Sequence, residues 1–308
     1  MTWRKMGLAF CPDGRQVWAR HSFMTPSPWL RDKDTIRVFG GMRDDKGISR
    51  IGWVDLDSSN PLDVKAVSDS PALDLGAPGM FDDNGVILGD VLEVSPYELR
   101  LYYVGFQLVE KVKFMAFTGV AISEDRGDTF TRHRTTPILD RCPEGTFIGA
   151  MHSIARLQDG RYRAWISRGR GWQEINGRQY PQYDCWTVVS DDGLFFDNAK
   201  AQRIITPNEN EYRIGRPRAN LMKDGTWELR ATSDTYSKQY SSHRFLSPDG
   251  VNFSRTEDDE LPRGEAGSWD DEMTCYPAHI EASNTSKFLF YNGNGMGRTG
   301  VGVARWID

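Results

Sequence analysis

The chain has 308 residues, a formal charge of −5, 12% aromatic residues with 10 Trp, and 30 Gly. Its Lys and Arg residues are scattered, with no basic stripe interleaved with aromatics, so no nucleic-acid partner is expected. Gly, Asp or Arg break every apolar run well before the ~20 residues a helix needs to cross a bilayer, so no membrane partner is expected either.

The order of elements begins with Met6 to Trp18, which reads as a strand, an Asp-Gly turn and a second strand. Asp13 and Arg15 end the short apolar run near the start, so no secretory signal is expected. A first unit spans Trp29 to Val64, with alternating runs at Ile36 to Phe39 and Arg50 to Leu56 around a turn-rich stretch at Asp44 to Gly47. The second unit, Asp82 to Arg132, has strands near 85–94, 99–104 and 117–123. The third, Phe147 to Asn198, has strands near 150–157, 162–167 and 183–190. The fourth, Tyr212 to Arg255, has strands near 218–222, 227–232 and 242–247. The fifth starts near Trp269, with strands near 276–281, 288–291 and 300–306, and then lacks a fourth strand. No segment keeps a 3.6-residue apolar period over three turns, so little helix is expected.

One phrase recurs through these units. It reads Ser-Glu-Asp-Arg-Gly-Asp-Thr-Phe from Ser123, Ser-Asp-Asp-Gly-Leu-Phe-Phe from Ser190 and Ser-Pro-Asp-Gly-Val-Asn-Phe from Ser247, with a weaker copy, Cys-Pro-Asp-Gly, from Cys11. Copies about 60 residues apart, each ending a strand-like run, are the mark of propeller blades. The expected fold is an all-β five-bladed β-propeller, one domain over residues 1–308, with the N-terminal strand supplying the piece missing from the last blade. The four cysteines, Cys11, Cys142, Cys185 and Cys275, form no Cys-x-x-Cys pair. They are expected to be reduced thiols of a cytoplasmic protein, and no metal or other cofactor is expected.

Five clusters could carry chemistry on the inner strands. Arg43 and Asp44 follow a Gly-Gly pair, where a backbone can approach a ligand, although a charged turn would look the same. Asp82 and Asp83 precede the second inner strand and could both be turn formers, while Asp90 lies inside it, where an acid must be paired or wet. His152 sits on the third inner strand as a core residue or a channel group. Glu211, Arg216 and Arg218 fall in Asn-Glu-Tyr-Arg-Ile-Gly-Arg-Pro-Arg, and the two arginines suit an anionic ligand. Trp269, Glu272, Tyr276 and His279 are followed by a Gly-rich stretch holding Asn292 and Asn294; Trp269 could stack on a sugar. No helix pattern follows that stretch, which argues against a phosphate loop.

The set Phe-Asp-Asp-x-Gly-Val, Ile-Ser-Glu-Asp-x-Gly-x-Thr-Phe, Asn-Glu-Tyr-x-Ile-x-Arg-Pro, Trp-Asp-x-Glu-Met-x-Cys-Tyr-Pro and Tyr-Asn-Gly-Asn-Gly-x-Gly-x-Thr-Gly-x-Gly occurs here in that order. It resembles a largely uncharacterised bacterial group of five-bladed propellers similar to glycoside hydrolase families 43 and 32, often found with surface-polysaccharide genes. The resemblance runs from Arg43 to Ala304. It departs from the group's pattern at Gly149-Ala-Met-His-Ser and at Arg218, where a small residue is usual. It implies a glycosidase-like enzyme acting on a carbohydrate or glycoconjugate, with an Asp as base or nucleophile and a Glu as acid. Asp83 and Glu272 are the expected pair, and Asp44, Asp90 and Glu211 are the other acids on offer. The alternatives are a protein that binds a glycan or nucleotide sugar without cutting it, and an enzyme that tailors a small metabolite.

Overall fold

A computed structural model describes residues 2–256 and 261–307. Strand β1 (Thr2–Phe10) opens the chain. Blade 1 is β2 (His21–Asp32), β3 (Thr35–Arg43), β4 (Ser49–Asp57) and β5 (Val64–Val67). Blade 2 is β6 (Val86–Ser95), β7 (Glu98–Gln107), β8 (Met115–Ser123) and β9 (Thr131–Arg132). Blade 3 is β10 (Ile148–Arg156), β11 (Tyr162–Ile175), β12 (Arg178–Ser190) and β13 (Gln202–Ile205). Blade 4 is β14 (Glu211–Leu221), β15 (Trp227–Thr235), β16 (Tyr240–Ser247) and β17 (Ser254–Arg255). Blade 5 is β18 (Cys275–Glu281), β19 (Lys287–Asn292), β20 (Val301–Ile307) and, as its outer strand, β1.

Within a blade every pairing is antiparallel, and the first strand is innermost. Blades 2 and 3 touch through a short parallel bridge, Ile148 with Ala116 and Gly149 with Phe117. Strands β2, β6, β10, β14 and β18 meet in turn around one axis, so the ring is closed. Its seam is the β1–β20 ladder, from Thr2 opposite Ile307 to Phe10 opposite Val301. Trp3 stacks edge-on against Trp306 there, and Lys5 pairs with the buried Asp270 at 2.5 Å.

The recurring phrase is the turn between the third and fourth strands of blades 2, 3 and 4. In each copy the Ser hydroxyl donates to the Asp carboxylate and accepts a Gly N–H: Ser123 with Asp125 and Gly127, Ser190 with Asp192 and Gly193, Ser247 with Asp249 and Gly250. The residue after the Asp takes a left-handed conformation, at φ 59° for Arg126, 71° for Gly193 and 73° for Gly250. Its carbonyl then faces the preceding blade and accepts from that blade's second strand. The donors are Arg37 Nη1 at 3.5 Å, Tyr102 Oη at 3.0 Å and Trp165 Nε1 at 3.2 Å. The phrase therefore clasps one blade to the next.

Two expectations about strands change. The segment from Cys11 to Trp18 forms no second strand; it carries the chain from the outside of blade 5 to the inside of blade 1, so its Asp-Gly pair is not a copy of the clasp. Blade 1 begins at His21, not Trp29. Pro26 and Pro28 hide this strand, because proline lacks the ladder donor. Both are tolerated since β2 has only one paired neighbour, β3.

The seam yields a stability prediction. Deleting residues 2–10 leaves β20 as a bare edge and uncovers Trp306. The truncated chain is expected to lose its cooperative thermal transition and to aggregate, as read by calorimetry and size exclusion. A monomeric chain with an unchanged midpoint would refute the closure.

Candidate active site

The site starts from a distortion shared by all five inner strands. Each ladder slips at mid-strand: at Thr25-Pro26, Gly89, His152, Arg216-Pro217 and Tyr276-Pro277. Thr25, Arg216 and Tyr276 adopt positive φ, at 56°, 55° and 54°. Such bulges bend a strand and re-aim its side chains, and they free backbone groups that must find other partners. At Gly89 a Cβ would lie 2.4 Å from the Met151 carbonyl oxygen, so only glycine fits where β6 passes β10.

Polar side chains from neighbouring blades satisfy the freed groups and fill the axis. Arg216 Nη1 donates to Leu88 O at 3.0 Å and to His152 Nδ1 at 3.1 Å, and its Nη2 donates to Thr25 O at 3.3 Å. Burial lowers the Arg216 guanidinium to about 10, and burial followed by the charges of Arg216 and Arg218 pushes His152 well below its ordinary value. His152 is thus a neutral acceptor. Asp90 accepts from Ser27 Oγ at 3.0 Å and Ile154 N at 2.9 Å, and pairs with Arg218 Nη2 at 2.9 Å. These residues close the channel from within. Arg216 and Arg218, expected to hold an anionic ligand, lie at this axis: Arg216 makes no ion pair among the described residues, and Arg218 keeps Nε and Nη1 buried without a partner.

The mouth lies at the N-terminal ends of the inner strands. On blade 5, Glu272 precedes β18 with its carboxylate exposed and unpartnered among the described residues. Asn294 braces its loop, accepting from Glu272 N at 2.9 Å and Met273 N at 3.1 Å and donating to Asp271 at 2.7 Å. The Gly-rich stretch is the loop of the β19–β20 hairpin and holds a single turn, Asn294–Gly297, with Gly295 and Met296 left-handed. It carries the exposed Arg298 to the edge of blade 1, where Cys11 Sγ reaches the Arg298 carbonyl.

On blade 1, Arg43 ends β3. It is half-buried, forms no ion pair among the described residues, and its Nε is buried without a partner. Burial lowers its guanidinium below the ordinary value; Tyr276 opposes this and Arg298 adds to it. Burial, then Arg298 and Arg43, likewise lower His21. Arg43 and Arg298 therefore share one field, and it disfavours the protonated form of His21. Blade 2 follows: Gly85 lies against Ser49, the ladder partner of Arg43, and the loop before it carries Asp83. Asp83 Oδ2 accepts from Gly79 N at 2.8 Å, while Oδ1 is buried without a partner, as are Ser49 Oγ and Thr25 Oγ1. Tyr276 stands under the Arg216 guanidinium, 5.2 Å from its ring, and meets Tyr240 hydroxyl to hydroxyl at 3.0 Å.

Other expected site residues have structural partners. Asp44 holds its own turn through Lys46 N, Ile48 N and Arg50. Asp82 is fully buried on Arg132. Glu211 is buried, accepting from Ser233, Arg255 and Asn208 N. His279 lies past the bulge beside Glu228 and Arg230 of blade 4, away from the mouth. Trp269 packs on Tyr291 at 5.3 Å and over Gly302 and stays half-buried. Asn292 ties blade 5 to blade 1, donating to Phe23 O and accepting from Thr25 N at 2.7 Å. His21, Thr25, Tyr240 and Arg298 were not singled out from sequence. The first two lie in the strand that prolines hide; Arg298 is a variable position of the quoted Gly-rich motif, and Tyr240 lies in no quoted motif. Among the described residues, no group of three or more His, Cys, Asp or Glu is placed to hold a metal ion.

The chain is 30% identical over 306 residues to the uncharacterised protein Rv1502 of Mycobacterium tuberculosis strain H37Rv, covering 99% of both. It belongs to the family of Rv1502. The uncharacterised protein MT1551 of Mycobacterium tuberculosis strain CDC 1551 is likewise 30% identical to this chain over 306 residues, covering 99% of both. No protein-family model matches. Among solved structures, a glycoside hydrolase superposes with a TM-score of 0.74 at 16% identity, covering 99% of this chain and 92% of that one. A member of the GH130 family of mannoside phosphorylases, which contains hydrolases targeting β-1,2 mannosidic linkages in Candida mannan, gives 0.69 at 15%, covering 99% and 93%. A thermostable family-43 glycoside hydrolase gives 0.64 at 13%, covering 96% and 93%. At these identities the likeness shows a shared five-bladed propeller fold.

Two predictions follow from the axis. Asp90→Ala strands Arg218 and the Ile154 amide in the interior and is expected to cost about 3–5 kcal/mol in denaturant unfolding, the scale of a broken buried ion pair. A loss below 1 kcal/mol would show that water replaces the carboxylate. The histidines set an acid limit. Burial, followed by Arg230, lowers His279 to about 4, and His152 is also depressed. The unfolded chain protonates both below about pH 6.5 while the native protein resists. Stability is therefore full above that pH and falls as pH drops from about 6.5 towards 4. His279→Gln should flatten that slope by up to about one proton; an unchanged slope would remove His279 from the account.

Proposed function

We propose that this protein is a glycosidase-like enzyme that cleaves a glycosidic bond in a carbohydrate or glycoconjugate bearing an anionic group, bound at the channel mouth. The observation that carries this reading is the arc from blade 5 through blade 1 to blade 2. On it two carboxylates, Glu272 and Asp83, flank two arginines, Arg298 and Arg43, that have no ion-pair partner among the described residues. The shared fold with glycoside hydrolases supports the reaction class. A half-buried Arg43 without a counter-charge, with the exposed Arg298 beside it, favours an anionic ligand group.

The roles follow from what each side chain has left to offer. Asp83 has one oxygen pinned by Gly79 N and the other unpartnered, so it can accept a proton from water or attack the anomeric carbon. Glu272 is exposed in the free protein. A bound sugar that covers it would raise its proton affinity by desolvation, as a general acid requires. Arg43 and Arg298 would fix the anionic group, or equally an inorganic phosphate acting as nucleophile. A second reading, binding without cleavage, is favoured by one fact: Glu272 has no side-chain partner to orient it before substrate arrives.

The test is turnover on a panel of aryl glycosides and uronic-acid-containing oligosaccharides, with and without inorganic phosphate. Asp83→Asn and Glu272→Gln are each expected to lower kcat by about 10²–10⁴-fold, the usual share of general acid–base catalysis. Arg43→Ala is expected to weaken binding by about 1.5–3 kcal/mol, as for a lost charged hydrogen bond. Full turnover in both amide variants removes the catalytic assignment. Saturable binding with no turnover on any substrate favours the second reading.

A further inference from the structure

Past the bulges, on the side away from the mouth, one guanidinium spans the channel. Arg218 leaves β14 of blade 4 and reaches Asp90 on β6 of blade 2. Asp90 also takes the Ser27 hydroxyl from blade 1 and the Ile154 amide from blade 3. Burial is what mainly lowers His152 on β10 and His279 on β18; behind it, and behind Arg216 and Arg230 respectively, the Arg218 charge acts on both. All five blades therefore surround this side chain.

Donors outnumber acceptors around it. Arg218 gives only Nη2 to Asp90, at 2.9 Å, while Nε and Nη1 are buried without a partner among the described residues. Both oxygens of Asp90 are already engaged: Oδ1 accepts from Ser27 Oγ and Val91 N, and Oδ2 from Ile154 N.

The charges are unequal as well. Arg216 is buried and makes no ion pair among the described residues; its bonds go to the Leu88 and Thr25 carbonyls and to His152 Nδ1, all neutral groups. Burial, opposed by Tyr276 and aided by the Arg218 charge, lowers its guanidinium only to about 10, so it stays cationic at neutral pH. The two histidines are neutral there. Two cations thus share the axis with one carboxylate, Asp90.

A water molecule can take an orphan N–H, but it leaves the surplus charge uncompensated, and a buried charge without a counter-charge is costly. A metal cation would be repelled. A small anion meets both demands, because it accepts charge-assisted hydrogen bonds from a guanidinium and neutralises it. Arg216 and His152 bar the mouth side, and only 11% of the Arg218 side chain is accessible, which suits an ion of halide size rather than a sugar acid.

We propose that the channel binds a small monovalent inorganic anion, chloride or one of its size, on Arg218 Nε or Nη1 beside Arg216. The ion completes the floor beneath the mouth. It needs no substrate, so the site stands apart from the proposed function and holds whether or not the mouth cleaves a glycan.

The test is calorimetric unfolding of the full chain at about pH 8, where the histidines are neutral in both the folded and the unfolded chain. Sodium chloride replaces sodium gluconate at a constant ionic strength of about 0.3 M, so screening does not change. An ion that binds only the native state raises the midpoint, and a saturable rise of about 2–4 °C is expected. Bromide should act as chloride does. Arg218→Lys keeps a charge for Asp90 but has no Nε and no second terminal nitrogen, and should lose the rise; Arg161→Lys, on the surface, should keep it. A second measurement needs no variant: crystals holding bromide at the concentration that half-saturates the shift should show an anomalous peak within about 3.5 Å of Arg218 Nε or Nη1. No chloride dependence in the unaltered chain, a rise that survives in Arg218→Lys, or density beside Arg218 without an anomalous peak, as water would give, would overturn the site. A peak seen only at molar bromide, with no midpoint shift, would mean an adventitious ion only and would overturn it too.

Discussion

Apart from the two-residue bridge of β10 to β8, the innermost strand of each blade has one edge with no strand to pair with. Five such edges face one axis, and the bulges at Thr25, Gly89, His152, Arg216 and Tyr276 free still more backbone groups there. A buried amide or carbonyl left alone costs about 1–3 kcal/mol. Side chains meet this demand by crossing from blade to blade. Asp90 takes the Ile154 amide, Arg216 takes the Leu88 and Thr25 carbonyls, and Asn292 takes the Thr25 amide and the Phe23 carbonyl. Ser153 does the same for Ala219. The ring is thus held at its centre by polar bonds and at its blade interfaces by apolar packing.

That arrangement decides where a ligand can act. Asp90 with Arg218 Nη2, and Arg216 on its two carbonyls, form the floor of the site, although Arg218 Nε and Nη1 stay unpartnered. Further groups with unpartnered polar atoms sit one layer outward, at Arg43, Asp83, Glu272 and Arg298. A floor held this firmly also fixes Tyr276, which touches both layers: its ring lies under Arg216, and its hydroxyl meets Tyr240 at the mouth.

Much of the fold was legible because it depends on local chemistry. A Ser hydroxyl, an Asp carboxylate and a left-handed residue make the clasp turn within a few positions, so three copies stand out in the sequence. Strand β2 was not legible, since Pro26 and Pro28 are acceptable only on an innermost strand, and that is a tertiary fact. The site was legible in part. Asp90 was read as an acid needing a partner, and the structure supplies Arg218 from two blades away. The dense arginines of β14 were legible as charge, but sequence does not show that Arg218 meets Asp90 and Arg216 meets two carbonyls. Arg298 shows the converse, an ordinary residue in a Gly-rich stretch that chain folding brings beside Arg43.

The clasps carry one more consequence. The acceptor is always the backbone carbonyl that follows an Asp, whereas the donor is a guanidinium, a phenol or an indole. The interface is therefore written in main-chain geometry on one side and left open on the other. A blade can exchange its donor for any side chain of similar reach without its neighbour changing at all. The three clasped interfaces can in this way differ in sequence while each stays shut, with the turn as the one part they share.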